Sequence, residues 1–482
     1  MESVLAKYLH KNGSLENAAR KTRARWLFKD RYRYFILFLG FLCATSLSAN
    51  MSIFNFTLIC MVPPPLNSNA TLNAKEFNPA NPTYPFSENQ KAILMWALAV
   101  GTLFSTVPFS ALFSRFGARY VLFGACILSA ISTGLFPLAL QLGFVPMIVL
   151  RFLQGVAYAS DFAALGMLCS KWASLTQHGL FLSVVSSYSP ASSMVTNTIS
   201  GMLCSSRFGW PMAYFSFSIA CLLFAFLWLY FYTDVPQDSN FMSSKEIEVV
   251  NRGKSKEHVN DTDKFIPYKA ILRSKLVWIV WLNAFADLCS AAWTIQYQPS
   301  YFKYVLNFSV EETGFLTSVP TVIHLPLKLL SGWLSDEVRF LSERTKMIIC
   351  NTISVGLPGV AYLGITFSPT PFLAFLWFIL NAIFFAPAGG GFYKCGMLCS
   401  RQYSHFVMAN IQVNKCMAMF ISPAMMYFFV SDITSREQWR IIFLVFALLC
   451  FVSSALFCVV ATDEPEPFTK LRQKEKDDSA VE

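Results

Sequence analysis

Arg151, Gln154, Tyr158 and Asp161 recur at i, i+3, i+7 and i+10 within one apolar stretch. At about 100° per residue, a helix places them on one narrow stripe. Asn283, Asp287, Ser290, Thr294 and Tyr297 form a second stripe in another apolar run. His324 and Lys328 stand one turn apart in a third, Lys394 follows Gly389-Gly390-Gly391, and Lys415 lies mid-run in a fourth. A charge placed mid-helix in lipid costs about 2.5–3.5 kcal/mol on insertion scales, so such residues turn inward. Two polar stripes on apolar helices predict a shared hydrated cavity. Within these runs Arg151, Lys328, Lys394 and Lys415 outnumber Asp161 and Asp287, which predicts attraction for small anions in a low dielectric. A structural alternative stays open for Arg151, as a clamp on helix ends or carbonyls, and for Lys328 and Lys394, as snorkelling lysines. No Walker motif, metal-ligand cluster or nucleophile with an ordered base accompanies them, so neither catalysis nor a cofactor is expected.

The elements that must position these residues follow from composition. Of 482 residues, 55% are hydrophobic and only 14% charged, where a water-soluble chain has about a quarter charged. Apolar runs near 34–61, 91–113, 119–141, 144–169, 178–204 and 209–232 are each long enough to span a bilayer. Six more follow near 275–302, 313–335, 345–367, 370–399, 403–430 and 438–461. The expected fold is an all-α polytopic membrane protein of twelve transmembrane helices in two six-helix bundles, 34–232 and 275–461. A basic tail (1–33), a polar central loop (233–274) and a charged tail (462–482), expected to be disordered, complete the division.

Loop charge sets the expected topology. Nine Lys or Arg precede residue 34, and the segment 233–275 holds eight, whereas 62–90 holds only Lys75. The positive-inside rule then puts both termini in the cytosol. The run has no aromatic platform or binding motif, so a nucleic-acid partner is not expected. The sequons at Asn69 and Asn307 fall on the non-cytosolic side and are candidate glycosylation sites, whereas those at Asn12 and Asn260 should be silent. The 13 Cys sit almost wholly in apolar runs and are expected to be free thiols, with no disulfide framework.

The halves carry corresponding marks. Ser114-Arg115-Phe116-Gly117-Ala118-Arg119 follows the second run, and Gly332-Trp333-Leu334-Ser335-Asp336 with Arg339 follows the eighth. Trp210 precedes the body of the sixth and Trp439 that of the twelfth. Such duplication is the plan of many secondary transporters. The Gly332–Asp336 segment, with Arg339 and Arg344 beyond, resembles the loop motif of the major facilitator superfamily, which implies a glycine where two helices approach and an acidic residue, Asp336, that latches the cytosolic face with basic partners. Arg151-Phe-Leu-Gln-Gly155, Ser170-Lys-Trp-Ala173, Pro299-Ser-Tyr-Phe302 and Gly314-Phe-Leu-Thr-Ser-Val-Pro320 resemble the anion:cation symporter family, which includes sialin, the vesicular glutamate transporters and the type I sodium–phosphate cotransporters.

The resemblance implies transport of an organic anion or phosphate, with the first, fourth, seventh and tenth helices lining the path. The stripes and intramembrane charges, taken with this resemblance, make Arg151, Tyr158, Asp287, Tyr297, Ser48 and Asn50 candidate substrate-site residues, and Asp161, His324, Lys415, Asp336 and Arg115 candidates for coupling or gating. The chain departs from the family pattern at several points. Ser48 stands where an arginine is expected in the first span, Tyr158 where a glutamate is, Met95 where a histidine is, and Asp287 where an arginine is. Gly396-Met397-Leu398 replaces His-Leu-Asp. These losses keep open a non-transporting receptor or scaffold beside the leading reading, an ion-coupled anion transporter. Proton coupling would use Asp161, Asp287 or His324; sodium coupling and facilitated diffusion are alternatives. Plasma membrane and endolysosomal or vesicular membranes are both compatible. Similar depths in the seventh and eleventh spans predict that Asp287 and Lys415 pair.

Overall fold

The computed structural model describes residues 30–61, 81–174, 181, 184–239, 241–251, 267–338 and 341–470. Among them the chain is helical throughout, without a strand. The first span is Tyr32–Met61. The second and third form one helical run, Glu88–Gly134, of 47 residues. A straight helix of that length would measure about 70 Å, more than twice the hydrocarbon core. It turns back at Gly117, whose φ of 77° suits glycine, and the Asp234 carboxylate packs where a Cβ would go. The fourth span is Phe144–Tyr158 followed by Asp161–Trp172, the fifth Tyr188–Ser205 and the sixth Gly209–Phe231.

The second half repeats the pattern. Its seventh and eighth spans are Lys275–Tyr304 and Val310–Glu337. The ninth runs through Glu343–Asn351, a π turn at Thr352–Gly356, and Leu357–Phe367. The tenth, Pro371–Phe384 and Phe392–Ser400, is interrupted by a tight turn at Ala386–Gly390. Ser404–Phe429 and Arg436–Val460 complete twelve spans among the described residues. The corresponding tryptophans behave alike. Trp210 and Trp439 are both fully buried, and each donates its indole N–H to a loop carbonyl: Trp210 to Pro82 of the connection between the first and second spans at 3.0 Å, Trp439 to Ile433 of the connection before its own span at 2.8 Å.

Twelve crossings return the chain to its starting side, so one face carries residues 30 and 470; this is the terminal face. The fifth, eighth and eleventh spans carry contacts between the bundles. The fifth packs along the eighth, and the eleventh along the second. Near the opposite face a Cβ on Gly201 would sit 3.0 Å from the Gly314 Cα, so only glycines let these backbones approach so closely. Trp96 of the second span donates to the Phe420 carbonyl of the eleventh at 3.0 Å. Toward the terminal face, Gly332 is exposed, with no atom within 4 Å of where a Cβ would be. Among the described residues, the close approach that the loop motif implies for Gly332 is therefore not made in this conformation.

Two further expectations change. Cys60 and Cys204 are joined in a disulfide, with Cα atoms 6.3 Å apart, tying the opposite-face ends of the first and fifth spans together. Apolar sequence context alone cannot reveal that two helix ends meet, so the all-free-thiol expectation failed there. The start of the C-terminal tail is folded: the Glu466 N–H donates to the Cys399 carbonyl at 3.0 Å, its carboxylate accepts from Ser274 at 2.9 Å, and Phe468 is buried. Residues 471–482 lie outside the described residues.

The central loop contributes a helix that docks on the first bundle. This helix, Ser244–Asn251, packs Ile247 and Val250 against the cluster around Tyr32 and Trp172. Glu246 of this helix accepts a 2.8 Å hydrogen bond from the Arg33 backbone N–H, capping the first turn of the first span. Burial pushes the Glu246 carboxyl up, so docking is strongest with it neutral and weakens as pH rises through its folded-state pKa. Glu246→Ala removes a cap and a docking contact together. It is expected to cost about 1 kcal/mol, read as a lowered thermal midpoint in detergent.

Candidate substrate path between the bundles

The fourth span places its stripe through an interruption. Its first helix ends at Tyr158, two residues turn, and Asp161 opens the second helix. Asp161 nevertheless stays on the Tyr158 side, because both meet the same partner from the other bundle. Lys415 Nζ lies 2.8 Å from Asp161 Oδ2, 3.2 Å from the Tyr188 hydroxyl, and 4.5 Å from the Tyr158 ring centroid. The Tyr188 hydroxyl also donates to Asp161 Oδ2. Asp161 and Lys415 each lie eleven residues from the terminal-face end of their helix, about 17 Å deep at 1.5 Å per residue. A carboxylate, an ammonium and two phenols thus form a box at mid-membrane depth, with walls from both bundles.

This overturns the expected Asp287–Lys415 pair. Lys415 turns across the bundle interface, whereas Asp287 lies inside the second bundle, where the nearby charge is Lys328. Asp287 is 8% exposed, and its Oδ1 has no hydrogen-bond partner among the described residues. Equal depth was read correctly, but depth does not fix helix rotation. The seventh-span stripe also differs from a cavity wall. Asn283 donates to the Ser453 carbonyl at 2.9 Å and accepts from Asn351 at 3.0 Å, and Ser290 meets Cys450, so this face packs on the ninth and twelfth spans. Tyr297 is buried beside Trp293 in the same bundle's aromatic core.

Arg151 is 1% exposed. It donates to the Met51 carbonyl at 3.0 Å, the Leu94 carbonyl at 3.4 Å and Gln154 Oε1 at 2.8 Å, and its guanidinium lies 4.8 Å from the Phe54 centroid. In this conformation it clamps the first, second and fourth spans, as the structural alternative foresaw. Ser48 accepts from Ser192 of the fifth span at 2.7 Å, and Asn50 donates to Ser129 of the third at 2.9 Å. These polar residues order the first bundle. His324 Nδ1 lies 2.8 Å from the Ala382 carbonyl, linking the eighth and tenth spans.

At the terminal face Arg115 is exposed, with its guanidinium 5.3 Å from the ring of neighbouring Phe116. Asp234, at the end of the sixth span, accepts from the Ala118 N–H at 2.6 Å and the Arg119 N–H at 3.3 Å. The Asp336 side chain and Asn69 lie outside what is described; Asn307 is exposed on the opposite-face loop. Sequence reasoning missed Tyr188, Asp234 and Glu246. Tyr188 and Ser192 sit at i, i+4 on a fifth span rich in Ser and Thr, a polar stripe like those already recognised.

The sequence profile of the Major Facilitator Superfamily matches residues 35–423, from the first span into the eleventh. The chain belongs to the Major Facilitator Superfamily. Its inter-bundle box therefore sits in a transporter built from two six-helix halves. It is similar to the mouse (Mus musculus) sodium-dependent phosphate transport protein 1, 26% identical over 322 residues, covering 66% of this chain and 68% of the relative. Human (Homo sapiens) sialin is 23% identical over 474 residues, covering 93% of each. These relatives support the anion:cation symporter resemblance. The fold matches the inward-open xylose transporter XylE from E. coli with a TM-score of 0.66, at 14% identity, over 92% of this chain and 99% of that one.

Proposed function

We propose that this superfamily member carries a small anion across the membrane by alternating access, with its terminal face toward the cytosol. The observation that carries the reading is the cation Lys415, held at mid-depth by one bundle against an acid and two phenols of the other. A charge at that depth is retained for binding or gating, because an apolar residue would pack there at lower cost. Because the contact spans the two bundles, rocking of one against the other bears directly on the Lys415–Asp161 pair. The phosphate named in the mouse relative supports an anionic cargo, inorganic phosphate or an organic anion. Close contact at Gly201–Gly314 beside an exposed Gly332 favours a state open to the cytosol.

The test is uptake of labelled phosphate, sialic acid, glutamate and urate into proteoliposomes under imposed proton or sodium gradients. Saturable uptake of one of them over empty vesicles is expected. Saturable binding with no uptake would mean a receptor that kept the fold. Orientation has its own test. The Cys60–Cys204 disulfide favours an oxidising compartment at the opposite face, in accord with the basic N-terminal tail on the other side. Asn69→Gln and Asn307→Gln together are expected to abolish a glycosidase-sensitive gel shift. A shift that survives them and disappears with Asn260→Gln would invert the topology.

A further inference from the structure

We propose that Asp161 is a tethered stand-in for the transported anion: it holds Lys415 while the site is empty, and yields it to the incoming anion upon taking a proton. The inference rests on the transporter reading and adds to it the residue that receives the anion and the one that takes the coupling ion.

The contrast between the two buried cations carries it. Arg151 is engaged by the Met51 and Leu94 backbone carbonyls and by Gln154, itself tied to Thr133 at 3.0 Å. Backbone carbonyls of a packed helix cannot swing aside for a ligand. The described partners of Lys415 are side chains, and the shortest contact is to a carboxylate, the same chemical group an organic anion would offer. The Tyr158 ring keeps the ammonium in place by cation–π attraction while its carboxylate partner changes. Where the family resemblance expects a glutamate, this chain has that ring, and the acid stands one turn further on, at Asp161.

The proton follows from charge balance. Among the described residues, titratable groups facing Asp161 include Lys415 and Cys416 from the eleventh span, Tyr188 from the fifth and Tyr158 from its own span, and of these Lys415 supplies the positive charge. If Lys415 leaves for an anion, Asp161 becomes a buried carboxylate without its counter-charge, which is costly. Uptake of one proton from water converts it to a neutral acid that still bonds to Tyr188. Lys415 stays an ammonium throughout and exchanges the Asp161 carboxylate for the anion. On the far side the anion departs, Asp161 releases its proton, and the pair re-forms. One proton thus accompanies each monoanion.

The experiment compares wild type with Asp161→Asn in proteoliposomes, using labelled phosphate and then whichever of the other three anions the wild type takes up. Wild-type uptake should be accelerated by a proton gradient directed with the anion. Asp161→Asn should lose that acceleration and bind the anion about tenfold more tightly, since the internal competitor is gone. If Asp161→Asn is not recovered folded, Asp161→Glu should keep the acceleration with a shifted pH midpoint. An Asp161→Asn protein with the wild-type gradient response and affinity, or an Asp161→Glu protein with an unshifted midpoint, overturns the inference. Absence of any wild-type uptake would instead sink the transporter reading on which it rests.

Discussion

Lys415→Met is expected to lower stability by about 3–5 kcal/mol, because Asp161 loses its counter-charge and must either stay ionised in the interior or take up a proton to fold. The Asp161 side chain is fully buried and that of Lys415 is 16% exposed, so little water is available to compensate. Adding Asp161→Asn to Lys415→Met should recover most of the loss, since a neutral amide can still accept from Tyr188. Thermal unfolding of detergent-solubilised single and double variants reads the cycle. Asp287→Asn in the Lys415→Met background should give no such rescue. Rescue by Asp287→Asn, or strictly additive losses for Asp161 and Lys415, would dissolve the inter-bundle pair.

The second large effect concerns closure. A Cβ on Gly314 would lie 2.7 Å from the Asn197 carbonyl and 3.0 Å from the Gly201 Cα, both backbone atoms that cannot rotate away. Gly314→Leu should therefore wedge the fifth and eighth spans apart at the opposite face. Transport is expected to fall roughly a hundredfold, as displacement by about 1 Å at a working site can do. The closed state can be followed directly. Thr198 donates to Ser318 across this seam at 2.8 Å, so cysteines placed at both positions should cross-link in an otherwise native chain. They should do so far less with Gly314→Leu. Equal cross-linking and undiminished transport would mean that this seam does not have to close.

Much of the architecture was legible because lipid imposes a simple rule: a span needs a long apolar run, and its flanks carry signed charge. The chain turns back at Gly117, between the apolar runs read at 91–113 and 119–141. Inside the bundles legibility fell away, because hydropathy gives depth and not rotation. Asp161 and Lys415 were both singled out as buried charges, yet Lys415 was assigned to Asp287, a residue at similar depth on a helix of its own bundle. Arg151 was recognised as exceptional, but sequence cannot tell a guanidinium facing a ligand from one facing backbone carbonyls. The Cys60–Cys204 bridge and the Glu246 cap join segments 144 and 213 residues apart, and nothing local marks either end.

The central claim is that the anion crosses the membrane on Lys415. Its most direct measurement is anion uptake by the Asp161→Asn/Lys415→Met double variant, which keeps a neutral, packed box and so separates folding from binding. Wild-type vesicles should take up at least one of the four anions saturably. The folded double variant should show no uptake above empty vesicles, while Arg151 is unaltered in both. Saturable uptake by the double variant at the wild-type rate would contradict the account and return the anion site to Arg151.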